Sequence, residues 1–390
     1  MVVNFEFLDV EPIDNLITCM NYKVDKVVFF GYHNVIEKMK DKTEAFLKEE
    51  CGVQTVNFLP VSKDNLESTL NSMRKEVEYE ISIKNELYFD ITGGESLILV
   101  AFGILSKEFS TPMHMFDVSK DKIIELDRYA KRQISRDCEP RKVQLNLDLV
   151  VKMHGGVINQ SLQKSVKSVT DHTISEEMKK DIRDVYDLAS LIPANWNMFS
   201  NLMRDTFKTD SSLAVNMTKE DVNRAVMNAG LKTSRYITDI LEKLSEMGLI
   251  LNLNCDDSHY GFQYKNSLVM ECITGGGCVL ELCTYINHIA EHDEGLIGVH
   301  IDWDGIIHSR ANNADVLNEI DVFFLKGNVP TFISCKTGNM DGKNALHALY
   351  EIETVANRFG GKYAKKVLVT LQELKDVYLE RAAEMGIEVR

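Results

Sequence analysis

The chain has 390 residues, of which 44% are hydrophobic and 26% are charged, and its formal net charge is -15 at pH 7. This composition is typical of soluble globular proteins, and the length allows two or three domains. The acidic balance excludes binding of nucleic acid through an overall basic field, so a nucleic-acid ligand would need a local basic groove or help from metal ions.

The cysteines and the apolar runs indicate the compartment. The eight cysteines contain no CxxC pair and have no regular spacing, which argues against a zinc site. Residues 1–6 show no signal-peptide pattern, so we expect the reducing cytoplasm. No apolar run reaches the roughly 18 residues of a membrane span, so we expect no contact with a membrane.

The first third of the chain alternates between strand and helix patterns. Strands are predicted at 27–30, 53–59, 87–90, 113–116 and 123–126, and helices at 35–50, 63–77 and 96–105. This alternation predicts an α/β domain of the Rossmann-like type, with a doubly wound, mostly parallel sheet between two layers of helices.

A glycine-containing segment, Asp90 to Ser96, follows the third predicted strand and opens a helix. Ligands of open α/β sheets bind beyond the carboxyl ends of the strands, where backbone N–H groups and a helix N-terminus attract phosphate. A tight turn without a ligand is the alternative, and Glu95 would repel an anion. The predicted ligand-binding residues are Asp90, Thr92, Gly93, Gly94 and Ser96, with Gly31, Tyr32, His33, Asn34 and Ser62 on the same rim.

The middle of the chain reads as helix, tight turn, helix and hairpin, at 218–230, 233–247, 249–253 and 261–264. This order is typical of a winged helix, whose second helix can read DNA. Lys232, Arg235 and Lys243 would serve that role, but acidic residues share the same helix. A spacer or dimerisation element is therefore the alternative interpretation.

The last segment predicts a mixed sheet of about four strands flanked by helices. Helices are predicted at 277–290, 344–359 and 373–385, and strands at 297–303, 318–325, 331–336 and 366–370. The two central strands flank a turn at 326–328 and read as a β-hairpin.

Charged residues of that hairpin are predicted to share one face. Side chains two apart on a strand point to the same side, which brings together Glu319, Asp321, Ser334 and Lys336. Carboxylates hold a hard divalent cation, and a lysine places positive charge beside a phosphate, so the pattern predicts a metal-dependent phosphodiesterase site. A cross-strand ion pair between Asp321 and Lys336 is the alternative.

Other acids can join this site. Glu281, on the helix before the first strand of the segment, can reach a metal held by the hairpin, or it is a surface acid. Asp302 and Asp304 are possible supplements. Ser334 stands where an acid is more usual, and a hydroxyl binds a hard cation more weakly than a carboxylate.

The order of these motifs resembles the CRISPR-associated Rossmann-fold (CARF) nucleases that carry a PD-(D/E)xK restriction-endonuclease-like domain. The resemblance rests on the Asp90–Gly94 segment, a winged-helix-like linker, Glu281, Asn318–Asp321 and Ser334–Gly338. It implies a homodimer that binds a cyclic oligoadenylate, most commonly cyclic tetra-adenylate, as its allosteric activator. It also implies cleavage of RNA or single-stranded DNA with Mn²⁺ or Mg²⁺ in type III CRISPR antiviral defence.

The resemblance also implies domains and residue roles. A sensor domain would span 1–145, a linker domain 146–268 and a nuclease domain 269–390. Asp321 becomes a metal ligand and Lys336 the lysine that orients phosphate and water. Glu319 and Glu281 become supporting acids and metal ligands, and Thr92, Gly93 and Gly94 become messenger contacts.

Two rival functions stay open at this point. One is a ligand-responsive winged-helix transcription regulator whose nuclease-like domain is inactive because Ser334 replaces the acid. The other is a nuclease without a messenger, in which the N-terminal domain only dimerises the chain.

Overall fold

The computed structural model describes residues 1–126, 133–137, 143–159, 174–230, 234–256, 258–303, 305 and 317–390. In these ranges the strands form three sheets, of seven, three and six strands.

The N-terminal sheet is doubly wound, as predicted. Its strands are β1 (Val2–Phe7), β2 (Lys26–Gly31), β3 (Thr55–Pro60), β4 (Glu86–Asp90), β5 (Met113–Asp117), β6 (Lys122–Leu126) and β7 (Gln133–Asp137). They lie in the order β3-β2-β1-β4-β5-β6-β7; the pairs from β3 to β5 are parallel, and the β5–β6 and β6–β7 pairs are antiparallel.

Four helices cover the two faces of this sheet: α1 (Pro12–Asn21), α2 (His33–Glu49), α3 (Leu66–Ser82) and α4 (Ser96–Phe109). Buried residues of α1 and α2 share one apolar core, and those of α3 and α4 share another. The strands predicted at 113–116 and 123–126 correspond to β5 and β6, which pair antiparallel as a hairpin.

Neither β1 nor α1 was predicted from the sequence. β1 is a central strand, paired on one side with β2 and on the other with β4. It carries the buried polar residues Asn4 and Glu6, which are 1% and 2% exposed. Alternating polar and apolar residues are typical of a half-exposed strand. The sequence pattern therefore did not indicate that β1 lies at the centre of the sheet.

The middle segment contains the predicted helix–helix–hairpin pattern. Its elements are α5 (Leu147–Met153), β8 (Val157–Ile158), α6 (Glu176–Leu191), α7 (Trp196–Thr206), β9 (Ala214–Thr218), α8 (Lys219–Asn228), α9 (Arg235–Glu246), β10 (Ile250–Cys255) and β11 (His259–Tyr264). The strands β10, β11 and β9 form the small antiparallel sheet. Lys232 lies outside the described residues.

The C-terminal sheet has six described strands, where about four were predicted. The elements are α10 (Ser267–Thr274), α11 (Cys278–His288), β12 (Glu294–Asp302), β13 (Leu317–Lys326), β14 (Val329–Lys336), α12 (Lys343–Gly360), β15 (Lys365–Thr370), α13 (Asp376–Glu384) and β16 (Ile387–Val389). The order is β16-β15-β14-β13-β12-β8, so a short strand from the middle segment completes the edge.

Two cores hold the C-terminal sheet in place. Residues of α12 and α5 pack in one continuous apolar core with α1 and α2 of the N-terminal domain. On the other face, α11 and α10 pack with the middle helices. Within the described ranges no single helix is long and apolar enough to cross a membrane. The one pair that passes by composition, Ser267–Thr274 with Cys278–Glu291, is bent by 117°.

Candidate active site

The β13–β14 hairpin has the predicted register. Val322 pairs with Ile333 and Lys326 pairs with Val329, which closes a tight turn at Gly327, where φ is +58°. The register sets Asp321 beside Ser334 on the face of the sheet that α12 covers. One small cavity is lined there by Glu319, Asp321, Ser334 and Glu351.

Asp321 is held by the strand opposite it. The Cys335 backbone N–H donates to Asp321 Oδ2 at 2.6 Å, and the Ser334 hydroxyl donates to the same oxygen at 3.2 Å. The Asp321 side chain is 14% exposed. Ser334 therefore orients the acid, which is a role that a carboxylate at position 334 could not take.

Lys336 lies between two carboxylates. Its Nζ is 3.8 Å from Asp321 Oδ2 and 3.6 Å from Glu351 Oε2, and its side chain is 32% exposed. The Lys336 carbonyl accepts the Leu371 N–H, and the next hydroxyl, of Thr337, donates to Asn197 Oδ1 at 2.8 Å. The lysine is thus fixed at the end of β14 by β15 and by α7.

An open groove continues from the lysine. Its volume is about 510 Å³, and it is lined by Lys336, Thr337, Gly338, Asn339, Asn344, His347 and Glu351, among others. Polar and cationic side chains of this kind suit contact with a phosphodiester backbone.

Glu319 and Glu281 lie in different surroundings. Glu319 is on the same face as Asp321, and its Oε2 is 3.8 Å from His300 Nε2 of β12. Glu281 is buried on α11, at the other face of the sheet. Burial and the charges of Asp321 and Glu281 raise the pKa of the Cys335 thiol well above its ordinary value.

Of the two supplementary acids, Asp302 is buried and its Oδ1 accepts the Gly305 N–H at 3.0 Å. Asp304 lies outside the described residues.

The rim of the N-terminal sheet contains the predicted binding loop. Asp90 is buried, and its carboxylate accepts from Thr18 and from the Thr92 N–H at 2.7 Å, with His114 Nε2 3.3 Å away. Burial opposes ionisation, but these partners hold the pKa of Asp90 below its ordinary value. Thr92 Oγ1 accepts the Phe116 N–H at 2.9 Å. The side chains of Asp90 and Thr92 therefore stabilise the loop through internal hydrogen bonds.

Gly93 and Gly94 have no side chain, so their backbone is accessible at this rim. A Cβ on Gly93 would lie 2.9 Å from Asp14 Cβ, and Gly94 has φ +118°, a conformation that few other residues adopt. The Gly94 N–H donates to Asp9 Oδ2 at 3.1 Å. The exposed Ser96 begins α4 directly after this loop.

The neighbouring loops contribute a polar cluster. The Tyr32 hydroxyl donates to Glu95 Oε2 at 2.8 Å, and Lys63 Nζ lies 3.7 Å from Glu95 Oε1. Burial and the nearby Glu95 raise the pKa of Tyr32 to about 12. Lys63 offsets the acid that otherwise disfavours an anion here. Of the remaining predicted residues of this rim, Gly31 ends β2, His33 and Asn34 begin α2, and Ser62 follows β3.

Comparison with known proteins identifies the C-terminal part. Residues 271–390 match the family described as Card1-like, endonuclease domain. This segment is similar to Card1-like endonuclease domains. The resemblance to CARF nucleases expected from the sequence is thereby confirmed for its endonuclease part. No curated protein sequence matches the chain.

Two solved structures share the fold over the whole chain. Protein VC1899 from Vibrio cholerae superposes with a TM-score of 0.69 at 14% identity, covering 100% of this chain and 93% of that one. Can2 from Sulfobacillus thermosulfidooxidans, solved with cyclic tetra-adenylate, gives 0.66 at 17% identity with the same coverage.

The endonuclease domain presents oxygen ligands but no complete metal cage. Among the described residues, no three Asp, Glu, His or Cys side chains are arranged to hold a metal ion. The carboxylates of Glu319, Asp321 and Glu351 and the Ser334 hydroxyl nevertheless surround one cavity. Such oxygens are the donors that Mg²⁺ and Mn²⁺ prefer, so the donor chemistry fits. The metal role of Asp321, Glu319 and Glu281 stays a prediction.

The endonuclease domain contacts the N-terminal domain through residues that were not predicted from the sequence. Asp14 accepts from the Lys362 ammonium and from the Tyr363 hydroxyl, the latter at 2.9 Å. Glu11 Oε2 accepts the Lys362 backbone N–H at 2.7 Å. These partners are 348 to 351 residues apart in sequence, so only the fold could reveal them. Asp14 is also the residue against which Gly93 packs.

Proposed function

We propose that this protein is a cyclic-oligoadenylate-activated, metal-dependent endonuclease of type III CRISPR defence. The observation that carries the proposal is the pair of Asp321 and Lys336, 3.8 Å apart, on the hairpin of a Card1-like endonuclease domain. The fold shared with Can2, which was solved with cyclic tetra-adenylate, supports the sensor function.

Each of the hairpin residues would have a separate role in phosphodiester cleavage. A bound Mn²⁺ or Mg²⁺ supplies charge stabilisation for the attacked phosphate and lowers the pKa of bound water. Asp321, with Glu319 in support, would hold that ion, and Ser334 keeps Asp321 oriented. Glu281, buried at the other face of the sheet, would support the site only through its charge. Lys336 would place its ammonium group against the charge that develops on the phosphate.

The N-terminal rim would bind the messenger. The backbone at Gly93 and Gly94 and the start of α4 offer N–H groups to a phosphate, and Ser96 adds a hydroxyl. Tyr32 and Lys63, at the next loop, can contact a base and a phosphate. The messenger must bind the active arrangement more tightly than the resting one in order to shift the balance between them.

A homodimer fits the exposed surface of α4. Leu97, Val100 and Ile104 are spaced as one helical stripe and are 37%, 53% and 41% exposed. A second copy would bury this stripe, and the messenger loop that precedes α4 would then lie at the interface. We assign 1–145 to the sensor, 146–268 to the linker and 269–390 to the nuclease, with β8 of the linker completing the nuclease sheet.

One experiment tests the proposal. The purified chain is incubated with Mn²⁺, labelled RNA and labelled single-stranded DNA, with and without a panel of cyclic oligoadenylates. We expect cleavage only when both metal and one messenger are present. Cleavage without a messenger would support an ungated nuclease. Sequence-specific DNA binding without any cleavage would support the transcription regulator.

A further inference from the structure

The hairpin site lacks one acid, and a neighbouring helix carries a candidate for it. Ser334 has no carboxylate, and its hydroxyl already donates to Asp321. Glu351 of α12 lines the same cavity as Asp321 and Ser334, and it also lines the groove next to Lys336. Glu351 was not predicted from the sequence as a site residue, because it lies in a helix 15 residues after the hairpin.

Glu351 and Asp321 converge on one cation. The Lys336 ammonium lies 3.6 Å from Glu351 Oε2 and 3.8 Å from Asp321 Oδ2. The helix is fixed in this position because Ala348, Ile352 and Val355 are buried in the core beneath it. Two carboxylates from different elements therefore face the same point.

The exposure of Glu351 suits a metal ligand better than that of Glu281. The Glu351 side chain is 42% exposed, and it borders the open groove. Glu281 is 6% exposed on the other face of the sheet. A hydrated divalent cation that enters from the groove reaches Glu351 without crossing the sheet.

We propose that Glu351 supplies the carboxylate that position 334 lacks, and that it binds the divalent metal together with Asp321. This inference rests on the proposed metal-dependent nuclease function. The alternative is that Glu351 forms only a surface ion pair with Lys336. In that case the replacement of Glu351 leaves the metal affinity unchanged.

Metal binding by the full-length chain separates these explanations without an activity assay. Free Mn²⁺ is measured by electron paramagnetic resonance during titration of the wild type, Glu351→Gln, and Glu353→Gln. Glu353 is the matched control, because it lies on the same helix but does not line either cavity. We expect Glu351→Gln to weaken Mn²⁺ binding on the order of tenfold or more, and Glu353→Gln to leave it unchanged.

A second variant restores the acid at its usual place. Ser334→Glu added to Glu351→Gln should recover most of the lost affinity, because the new carboxylate would enter the same cavity. A purely structural effect of Glu351 would not be rescued in this way. Thermal melting of each variant checks that the fold is retained, as the exposure of Glu351 predicts.

The outcomes are distinct. Wild-type affinity in Glu351→Gln, or an equal loss in Glu353→Gln, would overturn the role of Glu351 while the nuclease proposal stands. A wild-type chain that binds no Mn²⁺ would refute metal dependence itself, and the role of Glu351 with it.

Discussion

Replacement of Lys336 by alanine separates catalysis from stability. The lysine is 32% exposed, and its two ion pairs, at 3.8 and 3.6 Å, lie near the surface. Such pairs stabilise a protein by about 0–1 kcal/mol each, so the thermal midpoint should move by no more than a few degrees. Loss of a group that stabilises charge in the transition state costs about 10²–10³-fold in rate, or roughly 3–4 kcal/mol.

The assay measures single-turnover cleavage of labelled RNA and DNA at saturating Mn²⁺ and messenger. Lys326→Ala is the matched control, since Lys326 is an exposed lysine at the other end of the same hairpin. We expect the control to cleave like the wild type, and both variants to bind the messenger normally in calorimetry. Wild-type cleavage by Lys336→Ala would refute the assignment of the active site.

Three further predictions concern the N-terminal domain. Gly94→Val should lower the thermal midpoint and abolish messenger binding in calorimetry, because φ is +118° and the new Cβ would lie 3.2 Å from Phe7 Cβ; normal binding would contradict the loop assignment. Val100→Asp should shift the light-scattering mass to that of a monomer without loss of helical circular dichroism, and an unchanged dimer would exclude α4 from the interface. Burial, and then the charge of Asp90, raise the pKa of Glu6 well above 4.5. The native state therefore keeps a proton that the unfolded chain releases, and stability falls as pH rises through the folded-state pKa. Glu6→Gln should melt higher than the wild type at pH 8 and flatten this profile, and a lower midpoint at pH 8 would contradict the reasoning.

The hairpin was predictable because its register follows from local rules. A turn at residues 326–328 and alternation along each strand suffice to bring Asp321, Ser334 and Lys336 together. Glu351 had a weaker signal, as an acid at the edge of the apolar stripe of a predicted helix. That pattern is shared by many surface residues, so only the packing of α12 on the sheet could distinguish it.

The position of the loops at the rim of the N-terminal sheet was predictable from the sequence, but their contacts were not. The carboxyl ends of parallel strands meet at one edge, which located the loops correctly. The sequence could not show that Asp90 and Thr92 turn inward, or that Asp14 of α1 lies beneath Gly93. Those facts depend on β1 and α1, which were not predicted; the buried polar side chains of β1 gave the pattern of a half-exposed strand.

The apolar core that joins α1 and α2 to α5 and α12 has a consequence for how the chain melts. Two domains that share one apolar core cannot unfold independently, because the unfolding of either domain removes packing contacts from the other. Calorimetry should therefore show these two domains unfolding in one transition. A messenger bound at the N-terminal rim should then raise the melting temperature of the distant nuclease sheet by the same amount as that of its own domain.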